Sequence, residues 1–234
     1  EIAILSRVGK PTCFVVTDID ESTDPPTAWL SRTIVQQKAQ DRLLDSLRPG
    51  DVIPARVTHL EPFGAFVDAG CGVPSLIGIE NLSVSRICHP SDRLTVGQSI
   101  LAAVRTVEPE NRRISLTHRE LLGTWAQNAA LFSVGETVRG VVRSIEPYGV
   151  FIELTPNLSG LAEPRADLRP GMAVSVYIKS ILPQRMKVKL TVIDVLAPYD
   201  APTPPRYFIT EGHIDEWTYT PVGCDKKPVK TVFE

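Results

Sequence analysis

Short stretches in which apolar and polar residues alternate recur along the chain, and they predict β-strands. Between residues 51 and 118 there are five such stretches, separated by glycines, prolines and one longer connection. They read DVIPARVTHL (51–60), GAFVDAG (64–70), PSLIGIE (74–80), QSILAAVRTVE (98–108) and RRISLTH (112–118). Five short strands over about 70 residues are too few for a two-sheet sandwich, but they suit a small closed barrel without exposed strand edges.

The same pattern occurs again further along the chain. Residues 61–64, Glu-Pro-Phe-Gly, align with residues 146–149, Glu-Pro-Tyr-Gly, at an offset of 85. Residues 5–19 resemble residues 94–108, so part of a further unit stands upstream. We predict three repeats. Residues 1–36 form the C-terminal half of a truncated repeat, residues 48–118 form a complete repeat, and residues 133–194 form a second, shortened repeat.

Two stretches with helical periodicity separate these repeats. Residues 117–132 (THRELLGTWAQNAALF) open with a Thr-x-x-Glu capping-box pattern, and residues 31–47 (SRTIVQQKAQDRLLDSL) open with the cap Ser31. The apolar stripe of the former comprises Leu121, Trp125, Ala129 and Phe132. We predict two helical connectors that pack on the barrels and fix their orientation. Residues 195–234 are predicted to form a proline-rich spacer and a tail with a hairpin over residues 207–220.

One aromatic residue stands on the polar side of a predicted strand in the complete repeat. In residues 64–68, alternation places Ala65 and Val67 toward the core and Phe66 and Asp68 outward. An outward aromatic in a small barrel is suited to stacking on nucleic-acid bases, because every base has a flat face. The alternative is that the ring closes the barrel end or contacts a helix, since aromatic residues belong to cores more often than to binding sites.

The shortened repeat carries the same feature. Alternation there places Phe151 and Glu153 outward. In both repeats a further aromatic, Phe63 or Tyr148, precedes the strand's glycine. We expect that glycine to allow a bulge that brings the two aromatic rings side by side.

These motifs resemble the RNA-binding repeat of the ribosomal protein S-one family, which is an oligonucleotide-binding (OB) fold barrel. The matching segments are GDVIPARVTHLEPFGAFVDAG (50–70), SLIGIENLS (75–83), RICHPSD (86–92), VGQSILAAV (96–104) and ENRRISLTHRE (110–120). The resemblance covers residues 49–120, residues 133–193 in shortened form and residues 5–36 in part. It implies a mainly β fold of tandem five-stranded OB-fold barrels joined by α-helical connectors.

The resemblance also implies RNA contacts. In the first complete barrel they fall on Phe63, Phe66 and Glu108, together with Arg112 or Arg113 of the last hairpin. The other predicted contacts are Arg86, His89, Tyr148, Phe151, Lys179, Arg185, Lys187 and Lys189. His89 is expected to act with Arg86 and Arg93, although His89-Pro90 could instead only shape a turn.

One position departs from the family pattern in both barrels. The family's third-strand histidine is replaced by Gly78 in the first barrel and by Glu163 in the second. Because a carboxylate repels phosphate, we expect Glu163 to weaken RNA binding by the second barrel.

Composition is that of an ordinary soluble globular protein, with 43% hydrophobic and 22% charged residues. The net charge of −2 excludes a polycation that grips nucleic acid everywhere. Charge is nevertheless uneven, since residues 51–118 hold 6 Lys and Arg against 7 Asp and Glu, and residues 135–193 hold 8 against 5. There is no apolar run near the roughly 20 residues of a membrane helix and no secretory leader, so we expect a cytoplasmic protein. Glu1 in place of Met indicates a piece of a longer chain.

The leading hypothesis is a non-enzymatic protein of the translation machinery that holds single-stranded RNA, in particular mRNA, with little sequence specificity. The 30S ribosomal subunit is a further candidate partner. Catalytic motifs and metal-ligand spacings are absent, and the four cysteines are widely spread, so we predict no catalytic residue, metal, cofactor, small-molecule substrate or membrane partner. Two alternatives remain, a degenerate scaffold that binds ribosomal or other proteins and the RNA-guiding part of a larger ribonuclease.

Overall fold

The structure of the chain is a computed structural model that describes residue 9, residues 12–197 and residues 204–234. Its described part is mainly β, and most of its strands form two closed five-stranded barrels. The predicted fold class of tandem barrels is therefore confirmed. The start of the predicted truncated repeat and residues 198–203 of the predicted spacer lie outside the described residues. Within the described ranges, neither α-helix combines the length and the hydrophobicity needed to cross a membrane.

An antiparallel hairpin precedes the first barrel. It consists of β1 (Val15–Asp20) and β2 (Thr27–Ser31), and helix α1 (Arg32–Ser46) follows directly. The hydroxyl of Ser31 accepts the N–H of Ile34 at 3.3 Å, which is the helix cap that the sequence indicates. Helix α1 lies against the first barrel, where Gln36 donates to the carbonyl of Gly72 at 2.9 Å.

The first barrel contains five strands whose inner faces are apolar. They are β3 (Val52–Glu61), β4 (Gly64–Asp68), β5 (Pro74–Gly78), β6 (Ser99–Glu108) and β7 (Arg113–Thr117). Their order around the barrel is β3-β4-β5-β7-β6, with β5 and β7 parallel and the other neighbours antiparallel. Alternation along each strand buries one face, and Val57, Val67, Ile77 and Leu116 are fully enclosed.

The connector after this barrel differs from the single helix predicted over residues 117–132. It forms a 3-10 turn at Arg119–Leu122 and a short helix, α2 (Trp125–Ala129). Gly123 separates the two with a φ of 84°, a left-handed value that interrupts a helix. Helix α2 then starts with its own capping box, in which Thr124 and Gln127 bond each other's backbone N–H groups.

Glu120, which we expected to complete a capping box with Thr117, has a different role. Its carboxylate is fully buried and accepts hydrogen bonds from the side chains of Thr117, Arg119 and Thr231. A buried charge needs such partners, because desolvation without them is costly. Glu120 therefore ties the connector to the C-terminal part of the chain.

The second barrel repeats the arrangement of the first. Its strands are β8 (Thr137–Glu146), β9 (Gly149–Thr155), β10 (Leu158–Ala162), β11 (Ala173–Leu182) and β12 (Lys187–Val195). The order is β10-β12-β11-β8-β9, and β10 runs parallel to β12 as β5 does to β7. Trp125 of the connector packs into the apolar cluster of this barrel.

The C-terminal segment does not form the hairpin predicted over residues 207–220. Strand β13 (Glu216–Thr218) pairs instead with β14 (Lys230–Val232), which lies beyond the predicted range. We refer to residues 204–234 as the C-terminal strap, because they contact both barrels and the connector. The prediction failed because the apolar residues of this segment are distributed for packing on the barrels, and short-range alternation does not reveal that.

Backbone hydrogen bonds hold the strap along its length. Toward the first barrel, the N–H of Ile214 donates to Gly50 at 2.9 Å. At the connector, the N–H of Trp125 donates to the carbonyl of Tyr219 at 3.1 Å. Toward the second barrel, the N–H of Asp225 donates to Gln184 at 3.0 Å. The strap therefore joins all three parts.

A chain of hydrogen bonds links the strap to the first barrel through His118. The ring is buried, with Nδ1 3.0 Å from the carbonyl oxygen of Leu82 and Nε2 3.1 Å from the hydroxyl of Tyr207. That hydroxyl oxygen also accepts the N–H of Leu101 at 3.1 Å. Since a carbonyl only accepts, Nδ1 carries the proton, and Nε2 accepts from Tyr207. Burial lowers the pKa of His118 to about 4, and the nearby Arg93 adds to this effect.

Replacing Trp125 with alanine should lower the free energy of unfolding by about 3 to 5 kcal/mol, because the buried ring would leave a cavity. Denaturant unfolding measures the change. The matched control is Trp29→Ala, whose ring is half exposed on β2 and should cost little. Equal losses for the two variants would contradict the packing role of Trp125.

Stability should also fall as the pH decreases from about 6.5 to about 4. In this range the unfolded chain binds a proton at His118 and the folded chain does not, so acid favours unfolding. The shift of about 2.5 units corresponds to about 3 kcal/mol. Denaturant unfolding at several pH values should show a smaller pH dependence for His118→Gln than for the unaltered protein. The same change at the exposed His59 is the control, and identical pH profiles for all three proteins would refute the prediction.

Candidate nucleic-acid interface

Two aromatic rings meet on the outer face of the first barrel. Phe66 lies on β4 with its side chain outside the core, whereas Ala65 and Val67 are fully buried, as alternation predicts. Phe63, in the turn between β3 and β4, is 56% exposed. The ring centroids are 6.0 Å apart and the planes are nearly perpendicular, at 88°. This edge-to-face arrangement leaves aromatic surface open to solvent.

The second barrel has the same arrangement at the same place. Tyr148 is 66% exposed in the turn between β8 and β9, and Phe151 lies on β9. Their centroids are 6.2 Å apart and their planes meet at 89°. The repeated sequence pattern thus produces two nearly identical aromatic pairs, which we call the first and the second aromatic pair.

The glycine beside each pair permits close strand packing and does not form the bulge that we expected. A Cβ atom on Gly64 would lie 2.4 Å from the carbonyl oxygen of Ile77 on the neighbouring strand. A Cβ atom on Gly149 would lie 2.6 Å from the carbonyl oxygen of Ala162. The irregularity in the β3–β4 pairing lies instead between Val57 and His59.

Strand register places each outward phenylalanine in a row across its barrel. In the first barrel, Phe66 is opposite Leu76 of β5, and Leu76 is opposite Ser115 of β7. In the second barrel, Phe151 is opposite Leu161 of β10, and Leu161 is opposite Lys189 of β12. The two rows therefore share an aromatic residue and a leucine, but they differ in the third residue.

Leu76 and Leu161 are not among the contacts predicted from the sequence, although the alternation along their strands indicates their direction. Both alternate with buried neighbours, Ile77 in the first barrel and Ala162 in the second, and therefore point outward. An apolar residue on an outer face beside an aromatic residue extends the surface on which a base can rest.

His89 shapes a turn, which is the alternative that the sequence left open. Its Nδ1 accepts the N–H of Ser91 at 3.2 Å and caps the 3-10 turn Pro90–Asp92. Arg86 is exposed and lines a small cavity between the two barrels together with Pro170. RNA contacts for both residues remain predictions.

The last hairpin of the first barrel contacts helix α1. Arg112 has a φ of 51°, forms an ion pair with Asp41 at 2.7 Å and bonds the side chain of Gln40 at 3.3 Å. Arg113 is exposed and lies opposite Glu108 across the hairpin. Of the two arginines that the sequence left as alternatives, Arg113 is therefore the better placed to contact a ligand.

The basic residues that we predicted as RNA contacts in the second barrel differ in whether they form an ion pair. Lys179 forms an ion pair with Glu163 at 3.1 Å, so the carboxylate that we expected to repel phosphate has a partner. Arg185 is exposed in the 3-10 turn before β12. Lys187 and Lys189 are exposed on β12, and no ion pair involves either of them within the described part of the chain.

Glu153 and Arg93 are not at the outer surface, contrary to our expectation for both. Glu153 is 7% exposed and Arg93 is 6% exposed, and they form an ion pair between the barrels. Arg143 bonds the same carboxylate at 2.8 Å, and burial lowers the pKa of Arg93. The expectation failed because a loop of the first barrel covers this end of β9. Strand alternation does not show such coverage.

The described residues include no group of three His, Cys, Asp or Glu side chains that could hold a metal ion.

Comparison with known proteins identifies related chains. The S1 RNA binding domain family, whose unit is the S-one repeat, matches residues 46–119. The small ribosomal subunit protein bS1 of Staphylococcus epidermidis is 31% identical over 229 residues, which cover 88% of this chain and 58% of that protein. The protein bS1 of Staphylococcus aureus strain COL is 32% identical over 190 residues, which cover 74% and 48%. The chain thus spans about half the length of the curated relatives it matches.

Among solved structures, similarity is partial. The solution structure of GSP13 from Bacillus subtilis is 27% identical, covers 36% of this chain and 60% of that chain, and has a TM-score of 0.31. The a/eIF2alpha-aDim2p-rRNA complex from Pyrococcus horikoshii is 24% identical, covers 36% and 51%, and has a TM-score of 0.32. Scores this low do not establish a shared overall structure.

If Phe66 stacks on bases, Phe66→Ala should weaken RNA binding by about 1 to 3 kcal/mol and should hardly change the melting temperature. RNA titration and thermal unfolding of the same variant separate the two effects. Phe151→Ala is the matched variant in the second barrel, where we expect a smaller loss of binding because lysines share the contact. A large loss of stability with unchanged binding would assign these rings to the core.

Proposed function

Since the first complete barrel belongs to the S1 RNA binding domain family, we propose that this protein holds single-stranded RNA for the translation machinery. The resemblance noted in the sequence is confirmed by that match and by the similarity to bS1. The observation that carries the proposal is the aromatic pair, which recurs on both barrels with centroid distances of 6.0 and 6.2 Å. Chance does not account for two such pairs at equivalent positions.

The geometry favours binding with little sequence specificity. Exposed rings stack on any unpaired base, while lysine and arginine contact phosphates that every nucleotide carries. Leu76 and Leu161 add apolar surface beside the rings. We propose Phe63, Phe66, Tyr148 and Phe151 as the stacking residues, with Arg113, Lys187 and Lys189 as phosphate contacts.

The names of the relatives support a biological setting for this proposal. They are proteins of the small ribosomal subunit, so the RNA proposed for this chain is mRNA and the proposed assembly is that subunit. We propose that it acts in the cytoplasm and by binding, without catalysis of its own.

A second candidate function is a protein scaffold. It is supported by the apolar side chains that the β1–β2 hairpin exposes, of which Phe14, Trp29 and Leu30 are each at least half exposed. Exposed apolar patches of this kind mark protein interaction sites in other proteins. The RNA experiment below distinguishes the two functions.

Titration with labelled poly-uridine should show binding that weakens between about 50 and about 200 mM salt, because bound cations displace counterions. Duplex DNA should bind much more weakly, since stacking on the rings requires unpaired bases. Equal affinity for both nucleic acids, or no dependence on salt, would contradict this mechanism. No binding to poly-uridine would favour the scaffold.

A further inference from the structure

The outer faces of the two barrels share their geometry and differ in their charge. The rows that contain Phe66 and Phe151 are equivalent in register, as described above. The third residue is Ser115 in the first barrel and Lys189 in the second. A neutral hydroxyl thus stands where the other barrel presents a cation.

In the first barrel, two of the nearby arginines lie opposite an acid, and a third, Arg105, donates to the side-chain oxygen of Asn81 at 2.8 Å. Arg113 lies opposite Glu108 across the last hairpin, and Arg56 lies opposite Asp68. Carboxylates at these positions offset the attraction of the guanidinium groups for a phosphate. These acids reduce the net electrostatic attraction of this face for a phosphate.

In the second barrel, the equivalent acids are absent from the surface. Across the hairpin of β11 and β12, Lys187 lies opposite Leu182 and Lys189 lies opposite Ser180. Neither lysine therefore lies opposite a carboxylate in this hairpin. Glu153, which corresponds to Asp68, is buried against two arginines. Glu163, which directly follows β10, pairs with Lys179 at 3.1 Å, and within the described part of the chain no ion pair engages either of the two lysines.

The lysines also lie within reach of a nucleotide stacked on the second aromatic pair. Lys189 is two strands away from Phe151 on the same face, which corresponds to about 10 Å between the backbones. A lysine side chain extends from its strand on a flexible four-carbon stem, so its ammonium can contact the phosphate of that nucleotide.

We propose that the two barrels divide RNA binding between them. The first barrel holds bases mainly by stacking on Phe63 and Phe66 and depends little on salt. The second barrel combines stacking with phosphate contacts from Lys187 and Lys189 and supplies most of the salt dependence. This inference rests on the proposed function, and it reverses the expectation that the second barrel contributes little because of Glu163.

The test compares salt dependence among variants of the full chain. A labelled oligouridine of about 30 nucleotides is long enough for two barrels at about 4 to 16 nucleotides each. For a single strand, each phosphate contact contributes about 0.7 to the slope of log K against log salt. The double variant Lys187→Ser and Lys189→Ser should therefore make the slope shallower by about 1.4. When the salt concentration rises from about 50 to about 200 mM, the factor by which RNA affinity decreases should be about seven times smaller for this variant than for the unaltered chain.

Three further variants make the comparison specific. Lys38→Ser with Arg42→Ser removes the same charge from exposed positions of helix α1, which lies against the first barrel, and should leave the slope unchanged. Ser115→Lys should make the slope steeper by about 0.7, because it gives the first barrel the cation of the second. Phe66→Ala should lower the affinity at every salt concentration and leave the slope unchanged. Thermal unfolding of each variant verifies that it is folded.

The outcomes separate this inference from the proposed function. If the unaltered chain binds oligouridine but the Lys187 and Lys189 variant keeps its slope, RNA binding stands and the division between barrels is wrong. An equal change in the helix α1 variant also overturns the division, because the slope would then depend on the net charge of the protein and not on the position of the lysines. If the unaltered chain does not bind oligouridine, both proposals fail.

Discussion

The hydrogen bonds of one buried asparagine hold the two barrels, the connector and the strap together. Asn157, in the turn between β9 and β10, is fully buried, and its side-chain oxygen accepts the N–H of Val84 from the first barrel. Its amide donates to the carbonyls of Arg119 and Gly123 in the connector, and its own carbonyl accepts the hydroxyl of Tyr219 in the strap. Each buried group left without its partner would cost about 1 to 3 kcal/mol, so this arrangement strongly favours a single orientation of the barrels.

The ion pair between Arg93 and Glu153 reinforces that orientation. Removing two charges from water is expensive. Here the cost is offset because the carboxylate of Glu153 accepts from both Arg93 and Arg143, and because Arg93 also donates to the hydroxyl of Ser83. Removing one partner of such a buried pair is strongly destabilising, because it leaves the other charge buried without compensation. The ion pair also removes a negative charge from the outer face of the second barrel. That charge therefore does not reduce the attraction of Lys187 and Lys189 for a phosphate.

The proposed division of binding is one way in which a repeated fold can acquire two binding modes. Backbone register conserves the position of each aromatic pair, because the strands around it pack closely at Gly64 and Gly149. The charge beside the pair is set by a few outward side chains that the core does not constrain. Exchanging a serine for a lysine there changes the electrostatics without altering the barrel.

The sequence by itself determined the strands of the first complete barrel, its repetition further along the chain, the barrel class and the outward direction of Phe66 and Phe151. These features follow from local alternation, which reflects burial within one barrel. Ser31 was also correctly assigned as a helix cap, because capping depends on residues one turn away. Only the tertiary structure decided which outward residues contact distant parts of the chain. Glu153 is buried by the neighbouring barrel, Arg112 is held by helix α1, and the strap pairs β13 with a strand beyond the expected hairpin. Contacts between distant parts of the chain have no local period, so the sequence pattern carries no signal for them.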